Sequence, residues 1–181
     1  MTPEAGQSQQ RHVPVMLDEV LRAIGPKADA VYVDGTFGAG GYTRAILEAA
    51  DCRVVGLDRD PAAIAGGQGL ATKFVGKLTL VEGRFGVMSE HLASLGLEKV
   101  QGVVLDVGVS SMQLDEAARG FSFMRDGPLD MRMSQAGQSA ADVVNNYSPE
   151  MLAKVIFLFG EEPRSRAIAK AIVAQRLLAP F

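Results

Sequence analysis

Three stretches of this chain hold residues whose types and spacing suit ligand chemistry. The first, Asp34-Gly35-Thr36-Phe37-Gly38-Ala39-Gly40-Gly41, is a glycine-rich turn between an apolar run and a helical stretch, where bare backbone can approach a ligand closely. It is not a phosphate-binding P-loop, because Gly41-Tyr42 stand where Lys-Ser/Thr would follow Gly40. It is not Gly-x-Gly-x-x-Gly either, since Thr43 holds the third glycine's place. Taken alone the turn is a weak signal, because any tight strand-to-helix turn uses glycine. Asp58 adds to it: a carboxylate closing the next apolar run can accept both hydroxyls of an adenosine ribose. A shortened Gly-x-Gly loop with an acidic strand end, and no second phosphate to cradle, suits S-adenosylmethionine better than a dinucleotide.

The second stretch, Glu82-Gly83-Arg84-Phe85, offers Phe85 to an adenine ring, although packing at a strand end explains it nearly as well. The third places Asp106 at the end of a fourth apolar run, ahead of Val107-Gly108-Val109-Ser110-Ser111-Met112-Gln113-Leu114-Asp115. In open α/β sheets the strand ends near the topological switch point hold the ligand and the reacting group. Asp106 is thus the candidate acceptor at the reacting centre.

The elements that must position these residues follow from periodicity. Met16, Leu17, Val20, Leu21 and Ile24 stand at helical spacing within 14–24, and Gly25-Pro26 stops that helix. Ala30–Val33, Arg53–Leu57, Leu78–Val81 and Gly102–Leu105 read as buried strands. Helical stretches over Gly41–Ala50, Pro61–Phe74 and Val87–Leu95 separate them, with Asp60-Pro61 as cap and first turn of the second. The alternation β-α-β-α-β-α-β predicts an α/β fold with a parallel sheet. From Gly108 to about Gln138 periodicity vanishes in a segment too long for an ordinary loop and therefore read as functional. Helical spacing resumes over Ala140–Asn145, Pro149–Phe159 and Pro163–Leu178 with no strand between, so a helical subdomain begins there.

Composition narrows the class. With 48% apolar and 22% charged residues, the 181-residue chain has the material for a packed core and is not disordered as a whole. A net charge of −3 excludes a uniformly basic surface that coats nucleic acid, though a local basic patch stays open. Arg164, Arg166, Lys170 and Arg176 form one such cluster without a nearby acid, equally readable as a solvated helix face. Cys52 alone cannot form an internal disulfide, and with only His12 and His91 beside it no Cys/His metal site is expected. The polar first ten residues and the lack of any long apolar run predict a cytoplasmic protein without a membrane span.

Asp34–Gly41, Leu57-Asp58-Arg59-Asp60, Leu105–Asp115, the run Arg119-Gly120-Phe121 through Met133 and Gly160-Glu161-Glu162 together resemble the MraW family of ribosomal RNA methyltransferases. The likeness runs from His12 to the chain end, and the stretch from Leu105 to Met133 is very specific. It implies a class I, Rossmann-like methyltransferase that uses S-adenosylmethionine to methylate the exocyclic N4 of a cytidine in 16S ribosomal RNA of the small ribosomal subunit. Carried over residue by residue, cofactor contacts fall on Gly40, Gly41, Tyr42, Asp58, Phe85, Asp106 and Gln113. The family often has His where this chain has Tyr42, which leaves the side-chain role of Tyr42 open, and usually Pro where it has Met112.

Ser110 and Ser111 are candidates to orient the target base. Arg119, Arg125 and Arg132 are candidates for phosphate, with Asp115, Glu116, Asp126 and Asp130 as rival partners inside the loop. Phe121, Phe123, Met124, Met131 and Met133 read as the loop's small core. The expected organisation is a flexible tail over 1–11, a cofactor domain over 12–110, an active-site loop segment over 111–138 and part of a helical substrate-recognition subdomain over 139–181. The resemblance further implies that the family continues beyond this point with more helices and strands, so the sheet is expected to be incomplete. Competing readings are a non-catalytic cofactor- or RNA-binding module and a nicotinamide-dependent oxidoreductase, the latter disfavoured by the missing third glycine.

Overall fold

A computed structural model describes residues 14–181; the tail expected over 1–11 and His12 lie outside the described residues. The first unit begins with helix α1 (Leu17–Ile24), later than the predicted start because Met16 is left-handed at φ 53° and Gly25 ends the helix in the same region. The chain then alternates through β1 (Val31–Asp34), α2 (Gly41–Ala49), β2 (Arg53–Asp58), α3 (Pro61–Gly66), α4 (Gln68–Lys73), β3 (Leu78–Glu82), α5 (Met88–Ser94) and β4 (Gly102–Val104). All pairings are parallel, in the order β3-β2-β1-β4. This is the α/β, Rossmann-like sheet that the alternation predicted. Strand and helix ends shift by a residue from expectation, β4 ending at Val104 and not Leu105, and two helical stretches differ more. The stretch 61–74 is two short helices meeting at Gly67, and α5 is preceded by a 3₁₀ turn over Phe85–Val87.

Neighbouring strand residues point to opposite faces, and both faces are covered. Tyr32 and Val54 pack with Ile46, Leu47 and Cys52, backed by α1, whereas Val33, Val55 and Leu57 pack with Leu92 of α5. β4 is an edge strand, and Val103 and the following Leu105 are about half exposed. Cys52 is buried in this core: its thiol donates to the Ile46 carbonyl at 3.6 Å, and burial pushes its pKa up.

Residues 108–181 form a second unit. The stretch read as aperiodic contains a short helix, α6 (Ser111–Asp115), and a 3₁₀ turn over Ala117–Arg119. Three helices follow, α7 (Ala140–Asn146), α8 (Pro149–Gly160) and α9 (Ser165–Arg176). Ser139 and Ser148 cap α7 and α8, with Pro149 in the first turn of α8. Arg176 donates to the carbonyls of Val144 and Tyr147 at 2.7 and 2.8 Å, satisfying acceptors at the end of α7. Among the described residues no helix is long and apolar enough to cross a membrane.

Candidate functional site

The loop after β1 is held by its own amides. Gly35 N donates to Val104 O at 2.9 Å, Thr36 N to Asp34 Oδ1 at 3.3 Å, Phe37 N to Leu57 O at 2.9 Å and Gly38 N to Asp58 Oδ2 at 2.7 Å. Gly40 N then closes the turn on Phe37 O at 2.7 Å. Four consecutive N–H groups therefore face the carboxyl ends of β1, β2 and β4. Gly38 and Gly40 have φ of 51° and 73°, left-handed values that a side chain would strain, which is why glycine stands at both.

Asp34 and Asp58 close β1 and β2, and Asp106 stands two residues beyond β4. Asp34 is fully buried; Oδ2 accepts the Thr43 hydroxyl at 2.7 Å while Oδ1 accepts Thr36 N. Burial pushes its carboxyl pKa up to about 6 in spite of those hydrogen bonds, which act in the opposite direction. Asp58 accepts Gly38 N on one oxygen and Asp60 N, at 2.8 Å, on the other. Asp60 caps α3 by accepting Ala62 N at 3.0 Å, as its position before Pro61 predicted. Asp106 is exposed; its backbone N donates to the Thr36 hydroxyl oxygen at 2.7 Å.

Tyr42, in the first turn of α2, answers the question left by the missing histidine. Its hydroxyl donates to the Val15 carbonyl at 2.6 Å and lies 3.5 Å from Asp106 Oδ2. A phenol has one proton, so the shorter contact takes it and Asp106 is an electrostatic neighbour. Burial, and after it the Asp106 charge, push the phenol pKa up. Phe85 is not buried as strand-end packing would have it: it is 42% exposed, and its Cβ lies beside Gly35. The first unit thus brings Gly40, Gly41, Tyr42, Asp58, Phe85 and Asp106 to the strand ends around one loop.

The other predicted residues belong to the second unit. Ser110 and Gln113 form a capping box: Ser110 Oγ accepts Gln113 N at 3.2 Å, and Gln113 Oε1 accepts Ser110 N at 3.1 Å. Ser111 opens α6 and is exposed. Arg119 is buried and donates to the carbonyls of Arg132 and Met133 at 3.1 and 2.9 Å. Arg125 is exposed and donates to the Asp115 carbonyl. Arg132 pairs with Asp130, Nη2 to Oδ2 at 2.6 Å, and holds that carboxyl below its ordinary range. Phe123 and Met124 are exposed, whereas Phe121 and Met133 are partly buried, so only part of the expected loop core forms. In the basic cluster Arg164, Arg166 and Lys170 are exposed.

Asp34 and Thr36 escaped sequence reasoning, although an acid at a strand end directly before a glycine loop was the available signal. Among the described residues, no three His, Cys, Asp or Glu side chains are grouped to hold a metal ion.

Comparison with known proteins places this arrangement. The model of the MraW methylase family matches residues 9–181. Ribosomal RNA small subunit methyltransferase H of Parvibaculum lavamentivorans is 60% identical over 176 residues, covering 97% of this chain and 52% of that protein. The protein of the same name from Rhodospirillum rubrum is 58% identical over 170 residues, covering 94% and 52%. The chain spans about half the length of the curated relatives it matches. Among solved structures, an rRNA methylase from Streptococcus thermophilus shares 14% identity at a TM-score of 0.37, over 45% of this chain and 49% of that one. With the family model matching almost its whole length, this chain belongs to the MraW methylase family.

Proposed function

We propose that this chain is the cofactor-binding part of an S-adenosylmethionine-dependent methyltransferase acting on the N4 amine of a cytidine in 16S ribosomal RNA, within the small subunit in the cytoplasm. The observation that carries the reading is the direction of the loop amides. In a dinucleotide- or nucleotide-phosphate loop, backbone N–H groups point at the phosphates; here those of residues 35–38 bond to the protein itself. The donor set agrees, because Asp34, Asp58 and Asp106 gather negative charge at the strand ends, which repels a pyrophosphate and favours a cation.

When bound, the cofactor supplies an electrophilic methyl on a cationic sulfur. The roles of the chain's own residues follow from their geometry. Asp58 accepts ribose hydroxyls on lone pairs beyond those engaged by Gly38 and Asp60, and exposed Phe85 offers a ring face to adenine. Gly40, Gly41 and Tyr42 bring backbone to the cofactor, and Gln113 adds an amide contact. The cytosine amine is a poor nucleophile because its lone pair is delocalised into the ring. Asp106 accepts a hydrogen bond from that amine and localises the pair while the site holds it in line. The base must leave its stack to be reached. Ser110 and Ser111 orient its ring, and exposed Arg125 faces the RNA backbone together with the 139–181 helices, whereas Arg119, buried on the carbonyls of Arg132 and Met133, and Arg132, paired with Asp130, serve the segment itself.

The test has two arms. Calorimetric titration with S-adenosylhomocysteine and with NAD should give binding of the first only. Radiolabelled methyl transfer to small ribosomal subunits, with a protein extended to its relatives' full length, should yield N4-methylcytidine on nucleoside digestion. Binding of NAD in preference, or label on another base, overturns the reading.

A further inference from the structure

We propose that Thr36 is a positioning residue that fixes Asp106 against the loop, an inference that rests on the reading of Asp106 as a site residue. Asp106 stands two residues beyond Val104, the last residue of an edge strand, and is exposed. Neither feature holds a carboxylate in one place. The Tyr42 hydroxyl does not do so, because its proton goes to Val15 and its separation from Asp106 Oδ2 is 3.5 Å. What grips this residue is the Thr36 hydroxyl oxygen, which accepts the Asp106 amide at 2.7 Å across 70 positions of sequence.

Thr36 is itself gripped. Its amide donates to Asp34 Oδ1, and the other oxygen of the same buried carboxylate takes the Thr43 hydroxyl in the first turn of α2. One buried acid therefore holds both ends of the loop, and Thr36 passes that fixed position on to the end of β4. The bond from Gly35 N to Val104 O sets the strand end in register, and Thr36 fixes the second residue beyond it. Serine keeps the accepting oxygen and valine keeps the branched shape without it, which separates hydrogen bonding from packing.

The experiment compares Thr36→Val and Thr36→Ser in this chain, with urea midpoints to show that both fold. Amide hydrogen exchange at Asp106 is read by nuclear magnetic resonance, and S-adenosylhomocysteine is titrated in the same spectra. In Thr36→Val the Asp106 amide should exchange at least about fivefold faster, while Thr36→Ser stays within about twofold of the parent. Affinity should fall about three- to tenfold in Thr36→Val, the scale of one neutral hydrogen bond, and recover in Thr36→Ser. When Asp106 is already Ala, Thr36→Val should change affinity no further. Unaltered exchange at Asp106, or the same loss of affinity with and without the Asp106 carboxylate, overturns the proposal. If the parent chain binds no adenosyl ligand, the functional reading fails, and the exchange measurement alone decides the role of Thr36.

Discussion

Asp34 gives the sharpest quantitative expectation. Its carboxyl is raised by burial from an ordinary 3.8 to about 6. A difference of about two at 1.36 kcal/mol each amounts to about 3 kcal/mol. Because the folded state holds the proton more tightly than the unfolded chain, folding is linked to proton uptake between these two values. Well below pH 3.8 both states are protonated and the ionisation penalty is absent. It grows as pH rises through the window and is complete above about pH 6, where both states are charged. Asp34→Asn removes the charge and keeps an acceptor for Thr36 N, and its new amide can donate to the Thr43 hydroxyl in place of the bond it replaces. Urea unfolding of both proteins from pH 4 to 7.5 is the assay, and the difference between them cancels other titrating groups. Parent stability relative to Asp34→Asn should fall by about 2.4 kcal/mol between pH 4 and 7, since about 0.5 kcal/mol is already lost at pH 4, where the unfolded carboxyl is more than half ionised. A flat difference, or one that grows in the parent's favour as pH rises, refutes the reasoning.

Three further outcomes are expected. Asp58→Ala should weaken S-adenosylhomocysteine binding by roughly 1.5–3 kcal/mol, the scale of charge-assisted hydrogen bonds; unchanged calorimetric affinity removes Asp58 from the site. Asp106→Asn, in a protein of the relatives' full length, should lose methyl transfer by a larger factor than cofactor affinity, and equal losses in single-turnover rate and dissociation constant make it a binding residue only. Tyr42→Phe should release the Val15 carbonyl, cost about 1 kcal/mol of stability and speed hydrogen exchange at the start of α1. Unaltered exchange there shows that the phenol does not tether that segment.

The sheet was legible because fully buried parallel strands leave short apolar runs that end in acids or glycine, as Arg53–Asp58 does. Its parallel pairing followed from the alternation with helices. The break at Gly67 was not legible, because both halves keep helical composition and only the close approach of Phe37 and Leu80 to Gly67 reveals why a side chain is excluded there. The capping box of Ser110 and Gln113 was written in the sequence as Ser-x-x-Gln, but a helix of five residues has too few positions to show a period. Asp58 and Asp106 were found because each closes an apolar run. Thr36 was missed because its partner lies 70 residues away, a pairing that only the adjacency of β1 and β4 creates.

Asp58 shows how one side chain ties fold to ligand. Each of its oxygens already accepts a backbone amide, one from the loop and one from the turn into α3. A carboxylate has about four lone-pair sites, so two remain for hydroxyls. An asparagine at this position offers one accepting oxygen and an amide NH2 that meets the N–H of Gly38 or Asp60 donor to donor, so the loop must shift before any ligand arrives. The acid is therefore demanded twice, by the turn and by the ribose, and an Asp58 variant that alters affinity will also alter the loop. Asp58→Glu separates the two demands: it keeps the charge and four acceptor sites, while its extra methylene displaces them from the Gly38 amide. Recovery of affinity without recovery of stability in that variant would assign the charge to the ligand and the exact reach to the fold.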